Sequence, residues 1–188
     1  MKEKGKYGYL NSYMKSKLIA VIILFLMILF IVVTLHIMFG TTSRVMVVFA
    51  ILLSLPLAKF LIAYIICAKF KSLTKEQYQY IQEKTEDKDN ILYDIAVSQY
   101  EGLKFYQSVY VKNGKIVALV LSKDFNDEKK NYIKWLQQTH ADTKYEYNVT
   151  VFSDIEQYIK KINSISNPND NNKIIDKHIK EKILETGV

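Results

Sequence analysis

Reactive side chains are sparse in this sequence, and the few that stand out do so by position. Lys59 lies inside the apolar run Val45 to Ala68, about ten residues before Lys69. An ammonium group at that depth in hydrocarbon costs about 2.5 to 3.5 kcal/mol on insertion scales. No Asp or Glu occurs between Lys4 and Lys75, so neither this run nor the apolar run before it offers a counter-ion, and a second copy of the chain would offer none there either. Lys59 then has three courses. It can snorkel toward headgroups, helped by a shift of the helix around Pro56, which leaves the carbonyl of Leu52 without its donor. It can pair with a carboxylate of a different membrane protein, or it can lose its proton. Asp94, in an alternating segment, and Glu101, in a turn, are the carboxylates best placed to serve as metal ligands for phosphodiester hydrolysis.

Other chemistries find little to work with. His36, His140 and His178 fall in an apolar run, at a helix end and in the tail, with no metal-ligand spacing. Six glycines build no phosphate loop, nucleophile elbow or dinucleotide fingerprint, so no cofactor is implied. Ser108 and Ser122 have no neighbouring base in the sequence, and Asp124, Asp127 and Glu128 are explained by a helix start that favours negative charge. The single cysteine, Cys67, sits in an apolar run, which excludes an intrachain disulfide.

The net charge of +7 invites a nucleic-acid reading until it is located. Lys2, Lys4, Lys6, Lys15 and Lys17 against Glu3 give +4, and Arg44, Lys59 and Lys69 supply the remaining three. Residues 70–165 balance fourteen lysines with fourteen acids, and residues 166–188 balance four with four. The basic excess therefore belongs to the membrane segment, and nucleic acid is disfavoured as a partner. Arg44 is the only arginine beside twenty-five lysines, so residues 70–188 contain no guanidinium fork for bidentate recognition of phosphate or guanine.

The elements that position these residues follow from periodicity. Leu18 to Phe39 and Val45 to Ala68, 22 and 24 residues, are each long enough to cross a hydrocarbon core of roughly 30 Å. With residues 40–44 as the outer loop they form a transmembrane hairpin. Lysines flank both of its outer ends, at Lys15 and Lys17 and at Lys69, Lys71 and Lys75, which places both termini in the cytosol of a two-pass protein. Tyr7, Tyr9, Tyr13, Tyr64 and Phe70 are then expected near the headgroups of that leaflet.

Residues 70–165 read as a cytosolic domain. Thr74-Lys75-Glu76-Gln77 is a capping signature for a helix to about Thr85, which can run on directly from the second span. Ile91, Tyr93, Ile95 and Val97 alternate on one face of a strand, 91–98. A second strand, 104–112, meets a third, 115–122, across Asn113-Gly114, a strong hairpin signal. The third is apolar on both faces, hence central and covered on each side. Asp124 or Asn126 caps a helix to about His140 with Tyr132, Trp135 and Leu136 inward; 145–152 is a fourth strand, and Ser153-Asp154-Ile155-Glu156 caps a helix to Ile162. Residues 166–188 comprise a polar linker and a short amphipathic helix striped by Ile174, Ile175, Ile179, Ile183 and Leu184, which needs a surface to dock on. The fold class is mixed α/β, helix hairpin first, then α-β-β-β-α-β-α.

That order resembles the core of the restriction-endonuclease-like fold. The resemblance implies an acid on the second strand and an acid-x-Lys pattern on the third, but Lys104-Phe105-Tyr106-Gln107-Ser108-Val109-Tyr110-Val111 and Lys115-Ile116-Val117-Ala118-Leu119-Val120-Leu121 contain no carboxylate. The lysine-rich start, Leu55-Pro56-Leu57-Ala58-Lys59 and the Tyr93-Asp94 strand are also similar to uncharacterised two-span membrane proteins of Gram-positive bacteria, which implies a bacterial plasma membrane and supplies no activity. The expectation is a membrane-anchored interaction or regulatory module with no evident catalytic site. Its partners would be the lipid bilayer and another membrane protein, met at Lys59 and Pro56. The alternative is a membrane-tethered, nuclease-like phosphodiesterase using Asp94 and Glu101.

Overall fold

The computed structural model of the chain describes residues 2–39, 44–99, 102–122, 124–139, 147–165 and 170–186. It divides into two compact units, residues 10–71 and residues 2–9 together with 72–188.

The first unit is a pair of helices, α1 (Tyr9–Phe39) and α2 (Arg44–Ala68), each long and apolar enough to span a membrane. The helix α1 starts nine residues before the apolar run, because nothing in Tyr9 to Lys17 breaks it. Large apolar side chains point outward from both helices, Phe30 at 72% and Leu55 at 66% exposure, a surface that water would not tolerate. The helices meet where the Lys17 ammonium lies 4.8 Å from the Tyr13 ring centre and 5.0 Å from that of Phe60. Of the expected outer loop, 40–44, residues 40–43 lie outside the described residues and Arg44 is instead the first residue of α2.

In the second unit α3 (Lys75–Lys84) starts afresh instead of continuing α2, because residues 70–74 are not helical. Its N-terminus carries the full capping box: the Gln77 amide donates to the Thr74 hydroxyl at 3.2 Å and the Thr74 amide to the Gln77 side chain at 3.0 Å. Four strands, β1 (Ile91–Gln99), β2 (Gly102–Lys112), β3 (Lys115–Leu119) and β4 (Asn148–Phe152), lie in that spatial order. The first three are antiparallel and β4 runs parallel to β3, so the sheet is mixed. As the apolar pattern requires, β3 is interior and buried on both faces. Asn113 and Gly114 both take positive φ, +54° and +66°, the backbone a two-residue hairpin needs.

Helices α4 (Phe125–Thr139) and α6 (Asp170–Thr186) cover one face of the sheet, and α3 and α5 (Ile155–Asn163) cover the other. Tyr132, Trp135 and Leu136 of α4 are buried as expected. The cap of α5 is Asp154, whose carboxylate accepts from the Gln157 amide, one residue later than the Ser153 box implies. The C-terminal helix docks on its own domain, with Ile179 and Ile183 fully buried against β1, β2 and α4, while Ile174 stands 73% exposed.

Candidate functional site

Lys59 lies on the exposed surface of α2, and Pro56 sits one turn before it in a helix that runs through both without a break. Ser54, beside Pro56, turns its hydroxyl back to the Ile51 carbonyl at 2.7 Å. His36 is exposed on α1, and Cys67 is buried within its own unit. The hairpin thus presents a cation outward and, having no Asp or Glu in its sequence, no carboxylate to meet it.

Asp94 occupies a more unusual place. It lies in the middle of β1, 3% exposed, with φ +54°, a left-handed conformation that non-glycine residues adopt sparingly and Asp more readily than most. In the β1–β2 register Tyr93 faces Ser108 and Ile95 faces Tyr106, so Asp94 stands opposite Gln107. Either side of this pair the strands change phase. Ile91 and Tyr93 join the core under α3 and α5, whereas Ile95 and Val97 join the core under α4 and α6. The single alternating face expected for these four residues is therefore split, because a left-handed residue turns the rest of the strand over. Strand β2 compensates in step: Ser108 bonds the Tyr158 hydroxyl of α5 at 2.7 Å, and Tyr106 donates to the Tyr132 carbonyl of α4 at 2.8 Å. Gln107, also buried, accepts from the Leu121 amide at 2.9 Å, so its side chain takes over where the β3 ladder stops.

The residues nearest this irregularity come from the start of the chain. Gly5 accepts from the Tyr93 amide at 2.8 Å, forming an isolated antiparallel bridge on the outer edge of β1. Its φ is +82°, and a β-carbon there would meet Leu184 at 2.9 Å and Leu92 at 3.2 Å, so both backbone and space call for glycine. Tyr7 then stacks on Tyr78, with ring centres 4.1 Å apart and 10° between planes, and meets the Tyr93 ring edge-on. Its hydroxyl donates to the Leu73 carbonyl at 3.1 Å. Tyr93 is held in turn by Gln82 at 2.9 Å. Burial raises the Tyr7 hydroxyl pKa, and the charge of Asp94 raises it further; burial pushes Tyr93 up to about 12.

Tyr7 and Tyr9 belong to the second unit. The signal for this was the pair Gly5 and Gly8, both at positive φ, which bend the chain around Tyr7. Glu101, the second carboxylate of the hydrolase reading, and His140 lie outside the described residues. Among the described residues no three His, Cys, Asp or Glu side chains gather as a metal site. Glu128 of the acidic cluster is paired with Lys104, whose ammonium also lies over the rings of Tyr132 and Trp135. No protein-family description, curated protein or solved structure matches this chain.

Proposed function

We propose that this chain is a membrane-anchored interaction or regulatory module. In this reading the helical hairpin engages another membrane protein, and the α/β domain presents its surface in the cytosol. The observation that carries it is Lys59, exposed on α2 about ten residues before Lys69, ~15 Å at the rise of an α-helix, in a hairpin with no carboxylate. A buried Asp or Glu contributed by a second protein removes the cost of that charge and selects the partner at the same time. The flanking lysines support a cytosolic domain. The bacterial plasma membrane rests on the likeness to two-span proteins of Gram-positive bacteria.

For the domain we propose a restriction-endonuclease-like core, supported by the order of elements and by an antiparallel β1-β2-β3 meander with β4 parallel to β3. Fold of this kind does not carry the chemistry with it. Strands β2 and β3 contain no carboxylate, which leaves Asp94 as the acid among the strand residues.

The test is purification of the tagged full chain from native membranes in mild detergent, with Lys59→Leu and Lys59→Arg alongside. A membrane protein retained by the wild type and Lys59→Arg and depleted about tenfold with Lys59→Leu is expected, since tenfold corresponds to about 1.4 kcal/mol. An unchanged set of partners with Lys59→Leu would sink the proposal.

A further inference from the structure

Half-covered residues of the helical hairpin fall on seams of one spacing. In α1, Lys17, Val21, Leu24, Ile28, Ile31 and Leu35 are half-covered. In α2, Leu53, Leu57, Phe60 and Tyr64 are half-covered and Cys67 is buried. Both sets recur every three or four residues, the repeat of a coiled coil, and Lys17 reaches the Phe60 ring between them. A second stripe with the same repeat runs along α2, formed by Leu52, Leu55, Lys59, Ile62 and Ile66. Its four aliphatic members are between 41% and 66% exposed, and Lys59 is exposed among them. At 3.6 residues per turn this stripe lies about 140° round the helix from the seam that faces α1. Lys59 is its central residue, with Leu52 and Ile66 seven positions away on either side, about 10 Å along the axis.

We infer that this outer stripe is the seat of a single transmembrane helix from a different membrane protein, one that carries a carboxylate opposite Lys59. The inference rests on the reading of Lys59 as a partner site and adds to it the face used and the form of the partner. Ionisable residues within membrane spans almost always face a bundle interior or a water-filled path. Lys59 stands on the stripe turned away from α1, so the interior it faces belongs to another helix. That helix is not a second copy of α1 or α2, because neither contains Asp or Glu. Apolar residues three, four and seven positions from the cation shield the pair, and a carboxylate at matching depth supplies a charge-assisted hydrogen bond. Pro56 adds an acceptor to the same stripe, since it withholds an N–H from the Leu52 carbonyl. The rest of the exposed arc, with Ser54, Ala58, Leu61 and Ile65, carries no charge, and Ser54 returns its hydroxyl to its own helix. A repeat of three and four residues also sets the crossing, left-handed at about +20°.

The probe is a synthetic helix of about 24 residues, enough to cross a bilayer. It has leucine at the seam positions of the same repeat, alanine elsewhere, lysines at its ends and one aspartate in the central seam position. Full-length protein with a donor fluorophore at its C-terminus is reconstituted with the acceptor-labelled probe in phosphatidylcholine vesicles, and association is read by energy transfer. The aspartate probe should associate about tenfold more tightly than a version with leucine in its place, and Lys59→Leu should abolish the difference. Leu55→Trp/Ile62→Trp, which puts bulk on the outer stripe, should weaken the aspartate probe about tenfold. Leu61→Trp/Ile65→Trp, beside the stripe, should stay within about twofold, since close packing is lost only where the helices meet. Circular dichroism, unchanged across the variants, shows that each is folded. Discrimination that depends on Lys59 but survives bulk at positions 55 and 62 would overturn the stripe and leave Lys59 as a partner site. Equal association of the two probes with the wild type would overturn both.

Discussion

Asp94 sits where the backbone would prefer glycine, and its conformation can be weighed against its side chain by substitution. At an ordinary strand position, glycine is the less stable replacement, by roughly 0.5 to 1 kcal/mol relative to alanine. At φ +54° that order should invert, with Asp94→Ala less stable than Asp94→Gly by about 1 kcal/mol, since only glycine enters the left-handed region without strain. Asp94→Asn, which tolerates the same region, should fall near the wild type. Denaturant unfolding of the full chain, followed by the fluorescence of buried Trp135, measures all three. If alanine proves the more stable of the two, the left-handed backbone is not retained in solution. The residue matters beyond itself because it decides which face of the sheet Ile95 and Val97 enter, and so divides one strand between two cores.

The helix α6 illustrates how an element is fixed by one side chain as much as by its apolar stripe. Asp176 closes the Asn113-Gly114 turn from outside, joining residues 63 and 62 positions apart. Asp176→Ala should speed exchange of the Asn113 and Gly114 amide protons and lower stability by about 1 to 3 kcal/mol, the range for leaving partly buried donors without an acceptor. Unchanged exchange would mean that Ile179 and Ile183 dock the helix unaided. Periodicity foretold this helix and its apolar face, as it did the hairpin, α3 with its capping box, and β3 at the centre, because each of these is a local pattern. It failed where a distant group competes with the local rule. Strand β3 ends at Leu119, short of the expected Ser122, and beyond it the Leu121 amide donates to the Gln107 side chain. The phase change in β1 turns on one backbone angle that composition does not encode. Of the candidate residues, Lys59 was legible because an isolated charge in apolar surroundings needs no structure to be noticed.

For the molecule as a whole, the strap has a consequence for topology. Residues 2–9 immediately precede α1 and residues 72 and 73 closely follow α2, yet Tyr7 and Leu73 share a hydrogen bond within one compact unit. If both helices cross a membrane, the chain must enter and leave on the same side. Reporter domains fused in turn to the two termini are expected to read the same compartment, with the lysine flanks making it the cytosol. Termini reading opposite compartments would show that the strap and the domain do not meet. The strap also sets an order of events during synthesis. Residues 2–9 leave the ribosome long before Tyr78 and Tyr93, against which they pack, so the strap is already at hand when β1 emerges. It can cover at once an outer edge that would otherwise offer a pairing surface to a second nascent chain. Only its contact with Leu184 has to wait for the last helix.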